Sequence, residues 1–234
     1  MLAPGLDDVR IVSPEHMSNG LPPQAHELIN ETDGWVLNLS AGGTMNRIEK
    51  VVEMEYAIFR HTDVVGDVHT LPFADESFAA VIALNAFEHY RNPSLAAQEI
   101  YRILKPGGKV LIHTAFLQPL HEPPWHFFNC TRYGLEEWFT GFKKQHLSVS
   151  LNFNPAYSIS WLSSDIEAAL RHNISAEAAD RFLNMPLGKL ASFWRDRQTQ
   201  DPDVRAVIED LAALPQAAQE QFSAGFEYLG AKPK

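Results

Sequence analysis

Val36-Leu37-Asn38-Leu39 runs directly into Ser40-Ala41-Gly42-Gly43-Thr44. A short apolar run that includes Trp35 and ends in a glycine turn reads as a buried strand leaving a sheet through a tight loop. Downstream, the same texture recurs. Lys50 to Glu55 is a second strand with acids at its end, Thr62 to Asp67 a third, and Phe78 to Leu84 a fourth. The fourth is apolar throughout, as a central strand covered on both faces must be. Leu95, Ala96, Ile100, Ile103 and Leu104 then fall on one stripe of a helix that starts at Pro93. Lys105-Pro106-Gly107-Gly108 stops it, and Lys109 to Thr114 is a fifth strand. Strands alternating with helical or loop crossovers predict an α/β fold: a Rossmann-like, doubly wound, mostly parallel sheet.

Upstream of Trp35, Pro23 to Asn30 is predicted as one short helix with proline in its first turn. Before it, Pro4, Gly5, Pro14, Gly20 and Pro22 mark an irregular arm. Beyond Tyr157 the pattern turns helical as far as Phe222. Leu162, Ile166, Ala169 and Leu170 share one face, Val204, Val207, Ile208 and Leu211 another, and Pro186, Pro202 and Pro215 punctuate the helices. These stripes read as core packing, or as a lid or the face of a homodimer. Gly225 to Leu229 reads as a last strand. If it rejoins the sheet, residues 1–234 form one domain: an arm at 1–26, a core at 27–155 plus 224–232, and a helical insertion at 156–223.

The 234 residues, 45% apolar and 21% charged, have the composition of a globular chain large enough to need no disulfide or metal staple. No apolar run is long enough to span a bilayer. Asp7 and Asp8 stand where a signal peptide carries positive charge. A cytoplasmic protein with no membrane partner is expected. The net charge of −10, with no basic cluster, disfavours nucleic acid. The single cysteine, Cys130, excludes an intrachain disulfide and any C-x-x-C zinc site. It reads as a buried small apolar residue.

In open α/β sheets, ligands sit beyond the carboxyl ends of the strands, where strand order reverses. Four positions therefore matter. Ser40-Ala41-Gly42-Gly43 is the turn after the first strand. Glu55, preferred to Glu53, ends the second strand and suits a pair of ribose hydroxyls. Asp67 ends the third strand. Asn85 to His89 follows the fourth.

In their order, these segments resemble class I S-adenosylmethionine-dependent methyltransferases of the type 11 kind. The resemblance rests on V-L-N-L-S-A-G-G-T (36–44), D-V-V-G-D-V-H-T-L-P-F-A-D-E-S-F-A-A-V-I (63–82), F-E-H-Y-R-N-P (87–93) and E-I-Y-R-I-L-K-P-G-G-K-V (99–110). It extends over roughly Leu28 to Phe142 and includes Phe116 to Phe128, Thr131 and Gly134-Leu135. The chain between the first two strands is short for the family's usual first helix, which is similar to a bacterial branch. Residues 157–222 have no counterpart, while Gly225 to Lys232 is similar to the family's last, antiparallel strand. The resemblance implies S-adenosylmethionine as cofactor and S-adenosylhomocysteine as product. It places the methionine part against Ser40, Ala41, Gly42 and Gly43, the ribose on Glu55, the adenine near Asp67 and Val68, and the methyl-donor pocket beside the Asn85 backbone. The family's first loop usually begins Asp-x-Gly-x-Gly. Here Asn38 replaces the acid and Ser40 the first glycine, putting a Cβ where a positive φ is needed.

Methyl transfer from a sulfonium is a direct displacement on an already activated donor, so the protein's main contribution is positioning. A base is needed for a hydroxyl or ammonium acceptor, and histidine suits that. His89, His121 and His126 are the candidates, with His113 nearby. His121 and His126 lie in a proline- and aromatic-rich loop after the fifth strand. His121-Glu122-x-x-x-His126 has one residue too many for a zincin, and two prolines deny it the helix. No metal site is expected. No G-x-S-x-G elbow supports a hydrolase and no G-x-G-x-x-G a nicotinamide enzyme. The expected function is methyl transfer to O or N of a small-molecule acceptor. The second reading, motivated by Asn38 and Ser40, is a methyltransferase-like scaffold or binding protein that transfers no methyl.

Overall fold

The computed structural model describes residues 9–18, 20–227 and 229–230. Its residues form two compact units. One runs to Phe116 and resumes at Pro124–Leu147; the other comprises Leu117–Pro123 and the chain from Ser148 on.

The first unit is a five-stranded sheet, β1 (Val36–Leu39), β2 (Val51–Glu55), β3 (Val64–Val65), β4 (Phe78–Leu84) and β5 (Leu104–His113), in the order β3-β2-β1-β4-β5. Every neighbouring pair is parallel. The order reverses between β1 and β4, so the switch point lies at their carboxyl ends. Alternation sorts the strand residues into two cores. Leu37, Leu39, Val81 and Ala83 face Ala96, Ala97, Ile100 and Ile103 of α2 (Pro93–Ile103). Val36, Ala80 and Ile82 face Ala25 and Ile29 of α1 (Pro23–Glu31). Trp138, from α3 (Arg132–Trp138), packs against the α2 side. Helices on both faces are what make β1 and β4 apolar at nearly every position.

Two details differ from the sequence pattern. β3 is only Val64–Val65, because Asp63 and Asp67 on either side spend their carboxylates on backbone N–H groups of Glu53 and His69. β5 begins at Leu104, with Lys105–Gly108 bulging from it between the Phe78↔Leu104 and Ala80↔Lys109 pairs. Gly107 takes φ 80° in that bulge.

Residues 40–50 connect β1 to β2 without a helix. Side chains and the arm fill that place instead. Thr44 Oγ1 lies 2.8 and 2.7 Å from the two Glu53 oxygens and 3.2 Å from His61 Nδ1. Arg47 pairs with Asp63 at 2.6 Å. Residues 10–18 form a strap. Ile11 bridges to Ile58 in parallel, the Arg60 guanidinium donates to the Pro14 carbonyl (2.5 Å), and Ser18 closes on the glycine turn. Ser18 N–H donates to Gly43 O (3.0 Å) and Gly43 N–H to Ser18 Oγ (2.8 Å). Glycine is required here. A Cβ on Gly43 would stand 2.2 Å from the His16 carbonyl oxygen, and one on Gly42 would stand 2.0 Å from Ser18 Oγ.

The second unit is helical: α4 (Pro155–Asn173), α5 (Ala176–Asn184), α6 (Leu187–Leu190), α7 (Ser192–Arg195), α8 (Pro202–Ala212) and α9 (Gln216–Phe222). Asn154, Ser175 and Asp201 cap α4, α5 and α8. Leu170, Ala178, Ala179 and Leu214 make its core, with Ile166, Ala169 and Leu211 against them. Arg181 and Asp210 tie α5 to α8 through two 2.9 Å bonds. Leu162, expected on the inner face, is 38% exposed. Segment 117–123 joins this unit through Leu120 N–H to Gln221 O (2.9 Å).

The antiparallel last strand expected at 224–232 is not formed by its described residues. Gly225–Glu227, Leu229 and Gly230 carry no strand, and the apolar residues that suggested one, Phe226 and Leu229, are 76% and 95% exposed. Among the described residues of this run, no ladder takes the backbone groups and no core takes Phe226 or Leu229. Tyr228 and residues 231–232 lie outside the described residues. No helix among the described residues is long and apolar enough to cross a membrane.

Leu37→Ala should cost about 2–5 kcal/mol of unfolding free energy, since Leu37 is wholly buried in the sheet-to-α2 core; urea denaturation measures this, and a loss under ~1 kcal/mol would contradict the packing. Gly43→Ala should release the strap, read as faster amide exchange at Ser18. Unaltered protection at Ser18 would show that the turn yields instead.

Candidate active site

The turn that follows β1 does the unusual thing first. Ser40 has φ 54° and Gly42 φ 64°, both left-handed. For serine that conformation costs energy which glycine does not pay. Ser40 Oγ lies 2.8 Å from the Tyr90 hydroxyl. Ala41 N–H donates to Met54 O (3.3 Å), and Gly42 N–H donates to Glu55 Oε1 (2.6 Å). Glu55 Oε2 accepts the Tyr56 N–H at 3.0 Å. The acid at the end of β2 is thus drawn onto the turn at the end of β1. Burial pushes its carboxyl above the usual glutamate range, and the two amides pull it back part of the way. Glu53 is 5% exposed and bound by Thr44, and burial raises its carboxyl too. Of the two acids, Glu55 is the one bonded to the glycine turn itself.

Asn38 is buried within β1, opposite Glu53 and Ile82. Asp67 Oδ1 accepts the His69 N–H (2.9 Å) and lies 2.6 Å from His69 Nδ1. His69 Nε2 accepts the Asn92 N–H (3.2 Å), so Nδ1 carries the ring proton. Val68 is buried in the main core, with its side chain in packing rather than at the crevice. Asn85, φ 51°, donates its N–H to His113 O (2.9 Å), and its side-chain Oδ1 is buried without a partner.

The candidate bases divide between the units. His89 and His126 are in the first, with ring centroids 5.7 Å apart. His89 Nδ1 sits 2.9 Å from the Trp125 carbonyl and therefore bears a proton; His126 Nε2 is 3.2 Å from Asn129 Oδ1. His121 is in the helical unit, its ring 5.4 Å from Trp161 and its Nδ1 2.9 Å from the Pro119 carbonyl. His113 is nearly buried, and burial lowers its basicity. The Cys130 thiol is pushed up to about 11 by burial and by the Glu88 charge, which keeps it protonated and unreactive near neutral pH.

Three further groups bear on the site without a motif of their own. Ser18 holds the Gly43 amide from 25 residues away. Tyr90 reaches Ser40 across 50 residues. Glu88 is wholly buried, with Oε2 accepting from Thr114 (3.0 Å) and Oε1 unpartnered. Glu88 alone lay in a stretch, Asn85 to His89, that its place after the fourth strand marked out.

Residues 43–112 match the family described as a methyltransferase domain. The malonyl-[acyl-carrier protein] O-methyltransferase of Erwinia billingiae is 42% identical over 57 residues, which is 24% of this chain and 23% of that protein. The sterol 24-C-methyltransferase of Aspergillus fumigatus is 33% identical over 90 residues, 38% of this chain and 24% of that protein. The chain thus spans about a quarter of the length of these curated relatives. Among solved structures, phosphoethanolamine N-methyltransferase 2 of Haemonchus contortus with S-adenosyl-L-methionine aligns with 76% of this chain and 44% of its own, at 14% identity and a TM-score of 0.39. The segment that matches the methyltransferase-domain family runs from Gly43 into β5 and includes Glu55, Asp67 and Asn85.

Proposed function

We propose that the protein transfers a methyl group from S-adenosylmethionine to an oxygen or nitrogen of a small molecule, of the sugar-like or secondary-metabolite kind. One observation carries this reading. The turn after β1 keeps its left-handed geometry although serine stands at the first glycine position, and the β2 carboxylate remains bonded to that turn. The residues present therefore fit the cofactor. The Gly42–Gly43 turn would face the methionine part and Glu55 the ribose hydroxyls, with Asp67 beside the adenine and the Asn85 backbone beside the methyl. The cofactor supplies an electrophilic methyl on a positively charged sulfur. The chain's contribution is alignment and proton removal. His89 or His126 would take the proton of an acceptor hydroxyl and become an imidazolium, while the bound cofactor would supply the methyl group.

A second reading, a scaffold of this family that transfers no methyl, is favoured by one contact. Ser18 Oγ already takes the Gly43 N–H, a group the cofactor's carboxylate would compete for. Calorimetric titration with S-adenosylmethionine and S-adenosylhomocysteine separates the two. Micromolar binding supports methyl transfer, whereas none up to millimolar, with folded protein, supports the scaffold.

Glu55→Ala should weaken S-adenosylhomocysteine binding by about 1.5–3 kcal/mol, the range of a charge-assisted hydrogen-bond pair; unchanged affinity sinks the ribose role. Because burial raises the Glu55 carboxyl, the carboxylate that accepts ribose hydroxyls is lost as pH falls through that raised value. Affinity should therefore drop at a higher pH than a free glutamate would set, and Glu55→Gln should flatten the profile. Once an acceptor is in hand, His126→Ala should lower turnover more than cofactor affinity; equal losses would mark a folding role.

A further inference from the structure

We propose that Tyr90 is a positioning residue of the cofactor turn: its hydroxyl holds Ser40 in the left-handed conformation that a glycine would adopt unaided. The inference rests on the methyl-transfer reading and deepens it.

Ser40 carries a Cβ at φ 54°, a conformation disfavoured for any L-residue with a side chain. Something must offset that cost, because the turn also has to place Ala41, Gly42 and Gly43. The Met54 carbonyl and the Glu55 carboxylate hold Ala41 and Gly42. For the Ser40 side chain the partner is Tyr90, whose hydroxyl is 2.8 Å away.

Tyr90 is built to stay there. It is 6% exposed. Its ring packs against Phe87 at 4.9 Å, and the His69 ring meets it edge-on at 6.3 Å. Its N–H donates to the Phe87 carbonyl (3.3 Å), closing the short turn after β4. His69 is itself fixed at both ring nitrogens, by Asp67 and by the Asn92 N–H. Burial, with Glu55 and Glu88 nearby, drives the phenol well above the usual tyrosine range. The group is thus a neutral O–H at every working pH. A line of contacts therefore runs Asp67–His69–Tyr90–Ser40 and joins the carboxyl ends of β3, β4 and β1. Swapping the family's first glycine for serine is made workable by a tyrosine 50 residues away.

The test is a double-mutant cycle read by calorimetry, with S-adenosylhomocysteine as the probe, on the full chain, Tyr90→Phe, Ser40→Gly and the double variant. Phenylalanine keeps the ring packing, so the fold is retained, and thermal melting of each variant checks this. Tyr90→Phe should weaken binding about two- to tenfold, the worth of one hydrogen bond. In the Ser40→Gly background the same change should have no further effect, because glycine needs no partner to hold the turn. That rescue is what a merely structural role would not produce. Equal loss in both backgrounds, or no loss in either, overturns the role of Tyr90 and leaves the methyl-transfer reading standing. No binding by folded wild type or by Ser40→Gly overturns both.

Discussion

The structure depends on how β1 ends. Its four residues are buried on both faces between β2 and β4, so the chain can leave only at the carboxyl end, and it must turn sharply to come back toward β2. Left-handed backbone at Ser40 and again at Gly42 makes that turn. Because strand order reverses beside β1, the same turn forms one wall of the crevice where a ligand is expected. Backbone strain at this point is thus tied to the site, in keeping with the general tendency of unusual φ values to gather where geometry must be held fixed.

The missing helix between β1 and β2 leaves that turn short of support, and the chain supplies it from elsewhere. The Thr44–Glu53 contact and the Arg47–Asp63 pair brace the connection from the β2 and β3 side. Arg47 and Asp63 are open to solvent, so this pair guides geometry more than it adds stability. The strap braces the turn from the other side. Its contacts explain the glycine pair without reference to a ligand: side chains at Gly42 and Gly43 would collide with Ser18 and His16. A glycine doublet in such a loop therefore records a close approach by protein backbone as well as any approach by cofactor.

The histidines show a different limit. His89 and His126 come within ring contact in one unit, while His121, only five positions before His126, belongs to the other. Each has a hydrogen-bonding neighbour: the Trp125 carbonyl, Asn129 and the Pro119 carbonyl. Loop-holding bonds of this kind coexist with acid–base work, because an imidazole has two nitrogens and one suffices to orient the ring.

The sequence by itself determined the sheet. Apolar runs at 36–39, 51–55 and 78–84, the α2 stripe and the Lys105–Gly108 break are local signals, set by periodicity and by proline and glycine chemistry that act over a few residues. The position of Glu55 at the carboxyl end of β2 was legible for the same reason, whereas alternation does not separate it from Glu53, which is two residues away on the same face. Tertiary structure alone decided whether serine could stand at position 40, because the answer lies in a hydroxyl 50 residues away. It also decided what covers Gly43 and which unit His121 joins. Among the described residues, Gly225–Glu227 and Leu229 make the same point in reverse. Their pattern is that of a strand, but a strand exists only where a neighbour accepts its backbone bonds, and pattern carries no information about the neighbour.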